Sequence, residues 1–125
     1  MFEERTIPIL AYNLETVLAE KIETFLARST ANTRMRDLYD IYALEKIENH
    51  NINNDVLKAA FTNTSKLRGS SALTDSMNTI LHDTEHSHEM AALWKDYQRK
   101  FDYTAGIAWE DVIQAVKRFC DIVRP

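Results

Sequence analysis

The stretch LETVLAEKIETFLAR, residues 14–28, decides the fold class, because it predicts a long helix with one buried face. Asn13 stands directly before it and is a favourable helix-capping residue. Apolar side chains then recur every three or four positions, namely Leu14, Val17, Leu18, Ile22, Phe25 and Leu26. This spacing is typical of an amphipathic helix that packs on other helices.

The rest of the chain repeats this pattern and predicts five to six helices in total. The later helices are expected at about 34–47, after Asn53 or Asn54, after Thr74, around 90–101 and at about 109–123. The third is expected to bury Val56, Leu57, Ala60 and Phe61. A loop that contains Gly69 is predicted at 63–71.

Composition supports an all-α fold in one helical domain. The chain has 125 residues with only 2 Gly and 2 Pro, too few for the many turns of an all-β protein. Fifteen Lys and Arg against 19 Asp and Glu give a net charge of −4, which argues against broad binding to duplex nucleic acid. Cys120 is the single cysteine, so no intramolecular disulfide can form. With no signal-like or membrane-length apolar run, we expect a cytoplasmic protein.

The first residues differ from the helical remainder. Residues 5–12 (RTIPILAY) have β-like composition, and Pro8 favours an edge strand or an extended arm over a central strand. Residues 1–12 are therefore predicted to be an extended segment, and 13–125 a helical domain. A single strand needs a partner, which either the helices or strands outside this chain would supply.

Lys21 occupies an unusual position on the first helix. At about 100° per residue, Lys21 and Arg28 share a stripe roughly 80° wide with Leu14, Leu18 and Phe25. The two cations could bury their stems and keep their charged heads in water. Alternatively, they could line a cleft that binds phosphate. Glu23 is expected on the opposite, solvent-facing side.

The second helix carries a matching charged group, Arg36, Asp37 and Asp40, within about 100° of one another. Arg36 and Asp40 could form a simple pair one turn apart, or a carboxylate could orient a cation or a metal in phosphoryl transfer. Apolar residues lie on both sides of this helix, which predicts that it is sandwiched between others. These residues are Leu44 and Ile47 on one side and Leu38, Tyr39 and Tyr42 on the other.

Three other patterns are weaker indications of a site. The histidine-rich run 82–89 straddles a predicted helix break and is interpreted as a solvated loop. Residues 69–71 (GSS) with Asp75 lack the second acidic residue of a glycine-serine metal motif. The aromatic residues Trp94, Tyr97, Phe101 and Trp109 have helical core spacing, which favours packing over base stacking.

Several stretches together resemble a known family. They are residues 9–15 (ILAYNLE), residues 18–21 (LAEK), Arg28 and residues 36–41 (RDLYDI). They resemble the AbiEii/AbiGii nucleotidyltransferase toxins of bacterial toxin–antitoxin and abortive-infection systems, which implies a role in phage defence. The resemblance covers most of the chain and is most specific from 9 to 44.

The resemblance implies roles for five side chains. Lys21 is similar to the family's lysine that contacts nucleotide phosphates, and Asp37 to its essential aspartate. Asp40 is a weaker candidate for the same pocket, and Arg28 and Arg36 resemble supporting cations that bind substrate. None of these residues is expected to be a metal ligand in this chain.

The family's N-terminal nucleotidyltransferase domain carries a glycine-serine motif and metal-binding acidic residues, which this sequence does not match. The resemblance therefore implies the C-terminal helical portion, whose first partner is a missing N-terminal domain. Mg²⁺ and a nucleoside triphosphate are expected for the full-length enzyme, with neither bound tightly by this chain alone, and the chain alone is expected to be inactive. A cognate antitoxin and an RNA acceptor are further implied partners.

Two alternatives stay open at this point. The chain could be a non-catalytic helical module for protein interaction or regulation, since the first strand and the second helix both suit docking. A nuclease that uses Asp37 and Asp40 has less support, because only two carboxylates converge.

Overall fold

The protein is described by a computed structural model that covers residues 13–32 and 34–124. This part of the chain contains six α-helices and no strand. They are α1 (Leu14–Asn32), α2 (Met35–Glu48), α3 (Asn54–Arg68), α4 (Met77–Glu85), α5 (His88–Lys100) and α6 (Trp109–Val123). The predicted all-α fold is confirmed, whereas the predicted extended segment 1–12 lies outside the described residues. No helix in the described ranges is both long and apolar enough to cross a membrane.

Polar caps fix where three of the helices begin. Side-chain oxygens of Asn13, Asn53 and Ser87 accept the backbone N–H three residues later, at 2.7, 3.0 and 3.1 Å. Such a bond satisfies a backbone donor that has no partner inside the helix. The predicted cap at Asn13 and the predicted start of α3 are both confirmed.

The end of α3 differs from the prediction. The loop predicted at 63–71 is wrong, because α3 continues to Arg68 and ends at Gly69, whose φ is +70°. The N–H of Ser70 bonds back to the carbonyl of Ser65 at 2.8 Å, which closes the helix end. Most polar residues before Gly69 lie on the exposed side of a helix, with Ser65 buried, and the helix ends at Gly69. Residues 69–71 therefore terminate a helix and do not form a phosphate loop.

Helix α2 lies at the centre of the packing. It contacts α6, α1 and α5, while α1 also packs on α3 and α4. Its buried residues cover almost the whole circumference, and they are Met35, Asp37, Leu38, Tyr39, Asp40, Ile41, Ala43 and Leu44. The prediction that this helix is sandwiched is confirmed.

The amphipathic stripe of α6 closes the core as predicted, with Val112, Ile113, Val116, Phe119 and Cys120 all buried. The stripe packs on α2, α3 and α4. Burial of these side chains is the main favourable contribution to folding.

The aromatic cluster agrees with the prediction in part. Trp94 is buried, its indole N–H donates to the carbonyl of Ile107 at 2.9 Å, and its ring lies 6.4 Å from that of Trp109. Phe101 is 40% exposed and Val56 is 45% exposed, so both predictions of burial are wrong. Phe101 lies one residue past the end of α5, and on α3 Val56 lies about 100° from Leu57 around the helix, away from the buried stripe.

Helices α1 and α3 run in the same direction, and two polar contacts fix them together. Near their starts, a Glu15 carboxylate oxygen accepts the backbone N–H of Asn53 at 2.7 Å. Near the end of α3, Arg68 reaches Glu23 on α1. This alignment brings the last turn of α3 beside the middle of α1.

Candidate functional site

Lys21 lies between the two carboxylates of α2. Its Nζ is 2.9 Å from Oδ2 of Asp40 and 3.7 Å from Oδ1 of Asp37. The side chains of Lys21, Asp37 and Asp40 are 23%, 12% and 7% exposed. The family resemblance suggested Lys21, Asp37 and Asp40 as catalytic residues, and the structure brings these three side chains together. Asp40 is closer to the lysine than Asp37 is.

The helices explain this geometry. Asp37 and Asp40 are three residues apart on α2, so both face the same neighbouring helix. On α1, Leu18 and Phe25 are fully buried on either side of Lys21, which directs the lysine stem toward α2. The apolar stem is packed, and the ammonium group is held by carboxylates.

A cleft of about 330 Å³ opens beside this lysine. Its lining residues are Val17, Glu20, Lys21, Thr24, Arg34, Asp37 and Arg68. They bring one cation from α1, one from the residue before α2 and one from the end of α3. Three cations on one cleft are suited to an anion with several charged oxygens, and they outnumber the two carboxylates of the lining, Glu20 and Asp37.

Arg34 is a cleft residue that sequence reasoning missed. It has extended backbone directly before α2, and its Nε donates to Oδ2 of Asp37 at 3.1 Å. Its position three residues before Asp37 is the sequence feature that could have identified it. Asp37 is consequently shared by Lys21 and Arg34.

Arg68 was also missed. Its Nη1 donates to Oε1 of Glu23 at 2.5 Å and to Oγ1 of Thr24 at 3.1 Å. Glu23 is only 4% exposed, so the expectation that it faces solvent is wrong. Its charge can be buried because Arg68 neutralises it from a different helix. These residues are 45 positions apart, and no local pattern could have predicted the pair.

Arg28 and Arg36, the two arginines that the family resemblance suggested as substrate-binding residues, lie outside the cleft lining. Arg36 is exposed on α2 and Arg28 is partly buried on α1. The arginines that line the cleft are Arg34 and Arg68. The predicted role of Arg28 and Arg36 in substrate binding stays a prediction.

The donors of the cleft suit phosphate better than a metal ion. Oxygens of both Asp37 and Asp40 are already engaged by Lys21, and Asp37 also accepts from Arg34. Within the described ranges, no group of three or more His, Cys, Asp or Glu side chains could hold a metal. Residues 82–89 contain the expected helix break, since α4 ends at Glu85 and α5 begins at His88. The interpretation of the whole run as a loop is wrong, because only His86 and Ser87 lie between the two helices.

A second, smaller cleft of about 230 Å³ lies between α4 and α6. There Lys117 donates to Glu85 at 2.5 Å, and this hydrogen bond holds the pKa of the Glu85 carboxyl below its usual value. On the buried side of α6, burial raises the pKa of the Cys120 thiol to about 12. The thiol is therefore unsuited to act as a nucleophile at neutral pH.

Comparison with known proteins defines the class to which this fold and site belong. A family model for the nucleotidyl transferase AbiEii toxin of type IV toxin–antitoxin systems matches residues 1–117. The chain belongs to this family, and the resemblance found in the sequence is confirmed. The match includes every residue of the Lys21 cleft. No curated protein and no solved structure matches the chain.

Proposed function

We propose that the chain takes part in nucleotidyl transfer by a bacterial toxin, and that the Lys21 cleft binds the phosphates of a nucleoside triphosphate. The observation that carries this proposal is the position of Lys21, held by two buried carboxylates at the edge of a cleft that also contains two arginines. A lysine ammonium is a compact charge that binds phosphate oxygens well when it is fixed in place.

The two aspartates would have separate roles. Asp40 makes the shorter contact with Lys21 and is not part of the cleft lining, so it would position the lysine from behind. Asp37 does line the cleft and contacts both Lys21 and Arg34, so it would keep both cations directed at the ligand. Loss of either carboxylate should misplace the cation without removing it.

The donor set of this chain fits the triphosphate rather than Mg²⁺. When bound, Mg²⁺ would neutralise charge on the triphosphate and assist departure of the leaving group. We expect acidic residues outside the described ranges to hold it, on the strand platform of an N-terminal domain. An RNA acceptor and a cognate antitoxin are the further partners of this proposal, and membership of a toxin–antitoxin family supports the second.

Growth arrest in a bacterial host tests the active-site role. The gene is expressed without its antitoxin in its full natural context, with Lys21→Ala and Asp37→Ala as the test variants. Lys46→Ala and Asp96→Ala are matched controls, because both residues are exposed and lie outside the cleft. We expect the controls to stop growth and both test variants to permit it. Normal toxicity of a soluble Lys21→Ala variant would remove the basis for the proposal.

A transfer assay tests the complementary expectation. The 125-residue chain is incubated with labelled GTP or CTP, Mg²⁺ and RNA, and label transferred to RNA is measured. We expect no transfer by this chain alone. Robust transfer would mean that these residues contain a complete metal site, contrary to the proposal.

The other two candidate functions receive less support. The interaction-module alternative relied partly on the apolar sides of α2, and all of those residues except Ile47, which is 49% exposed, are buried or half-buried within this same chain. The nuclease alternative needs Asp37 and Asp40 as metal ligands, whereas both carboxylates contact Lys21.

A further inference from the structure

The geometry points to Arg68 as a third phosphate-binding residue of the Lys21 cleft, preset by Glu23 and Thr24 for a triphosphate group. This inference rests on the proposed function, because it assumes that the cleft binds phosphate. It adds a residue that lies on a different helix from both Lys21 and Asp37.

The guanidinium of Arg68 is held in a fixed orientation by two side chains of α1. Nη1 of Arg68 is bound by both Glu23 and Thr24, so the plane of the group is fixed against α1. A guanidinium has five N–H donors. The donors on Nη2 and Nε have no hydrogen-bond partner among the residues that the structure describes, and the side chain is 44% exposed. They are available to a ligand in the cleft.

Arg68 both neutralises a buried carboxylate and lines a cleft that contains two other cations. Glu23 is buried and Arg68 lies beside it, so the pair could be regarded as a purely structural contact. However, an ion pair that only stabilised the fold would not need its arginine to line a cleft beside two other cations. Arginine binds phosphate through paired N–H donors, and fixing the group beforehand reduces the entropy lost on binding.

The side chains that line the cleft limit what it can recognise. Its described lining contains charged, hydroxyl and aliphatic side chains and no aromatic ring on which a base could stack. The cleft is therefore suited to the phosphates of a nucleotide, and inorganic triphosphate is an appropriate probe. Because weak binding is sufficient, the readout can be the amide and arginine Nε–H signals in a two-dimensional NMR titration with Mg²⁺-triphosphate.

The test uses Arg68→Gln with Lys66→Gln as its matched control. Lys66 is exposed on the same helix, carries the same charge and does not line the cleft. We expect the dissociation constant to rise about tenfold for Arg68→Gln, as for the loss of charge-assisted hydrogen bonds, and to change little for the control. Arg68→Lys keeps the charge without the paired donors and should fall between them.

A double variant separates binding from folding. Arg68→Gln alone leaves the buried Glu23 carboxylate without its cation and should lower stability. Glu23→Gln/Arg68→Gln removes that charge and should restore the urea midpoint, yet binding should stay weak. Recovery of binding in the double variant would show that Arg68 is only structural and would overturn the inference.

Two further outcomes separate this inference from the proposed function. If triphosphate binding depends on Lys21 but not on Arg68, the inference fails and the proposed function stands. If the wild-type chain shows no shifts at the cleft, both fail. A repeat with Mg²⁺-CTP should show the same dependence on Arg68, and dependence seen with inorganic triphosphate alone would overturn the assignment to a nucleotide.

Discussion

Replacing Lys21 with methionine should destabilise the protein through the two aspartates that it holds together. Methionine preserves most of the packed stem and removes the charge. Breaking a buried ion pair from one side costs about 3–5 kcal/mol. Lys21 is 23% exposed and Asp37 keeps its contact with Arg34, so the expected loss is smaller, at about 2–3 kcal/mol. For a chain of this size that corresponds to a fall of roughly 8–12 °C in Tm.

Urea denaturation of the variant and the wild-type protein, followed by circular dichroism at neutral pH, measures this loss. Lys46→Met is the control, because Lys46 is 53% exposed and lies 3.8 Å from Glu45. Such a surface pair contributes at most about 1 kcal/mol. The reasoning is refuted if Lys21→Met loses no more stability than the Lys46→Met control.

Three further predictions concern other parts of the fold. The raised pKa of Cys120, about 12, predicts that a disulfide reagent does not label the folded protein at neutral pH and labels it rapidly in urea. Gly69→Ala should lower the free energy of unfolding by about 1 kcal/mol, since φ there is +70°, and Gly69→Asn should lower it less. The Lys117 hydrogen bond lowers the pKa of Glu85, so this pair stabilises the protein above the unfolded pKa of the carboxyl and ceases to do so as the pH falls through its folded pKa. Glu85→Gln should therefore cost less than about 1 kcal/mol at neutral pH and nothing in acid, measured by urea denaturation.

Each of these has a distinct contrary result. Rapid labelling of Cys120 without denaturant would mean that α6 opens locally. An alanine at Gly69 that leaves stability unchanged would mean that the end of α3 can adopt another conformation. A cost for Glu85→Gln that grows in acid would reverse the expected direction of proton linkage.

The sequence was most informative where structure depends on nearby residues. Apolar spacing and a cap at Asn13 predict α1, because both act within a few residues. The end of α3 was missed because Gly69 was taken as part of a loop, although a glycine after the last turn also ends a helix. The burial of Val56 was predicted wrongly for a different reason: Val56 lies about 100° from Leu57 around α3, and the buried stripe of that helix follows Leu57, Phe61 and Ser65.

In the candidate site, too, only the features that depend on nearby residues could be predicted from the sequence. Asp37 and Asp40 share a face of α2, so their proximity follows from helical spacing. Their contact with Lys21 was suggested by family resemblance, because spacing alone cannot pair two helices. Neither helical spacing nor family resemblance could predict the contact between Glu23 and Arg68, because it depends on how α1 and α3 align.

The enclosure of α2 has a consequence for how ligand binding can be observed. A helix covered on nearly every side can exchange its amide hydrogens with solvent only when the whole domain opens. Its exchange rate then provides an internal measure of global stability in the same sample. Extra protection at Thr24 or Arg68 beyond any change in α2 would report occupation of the cleft itself, and the two effects could be separated without a second experiment.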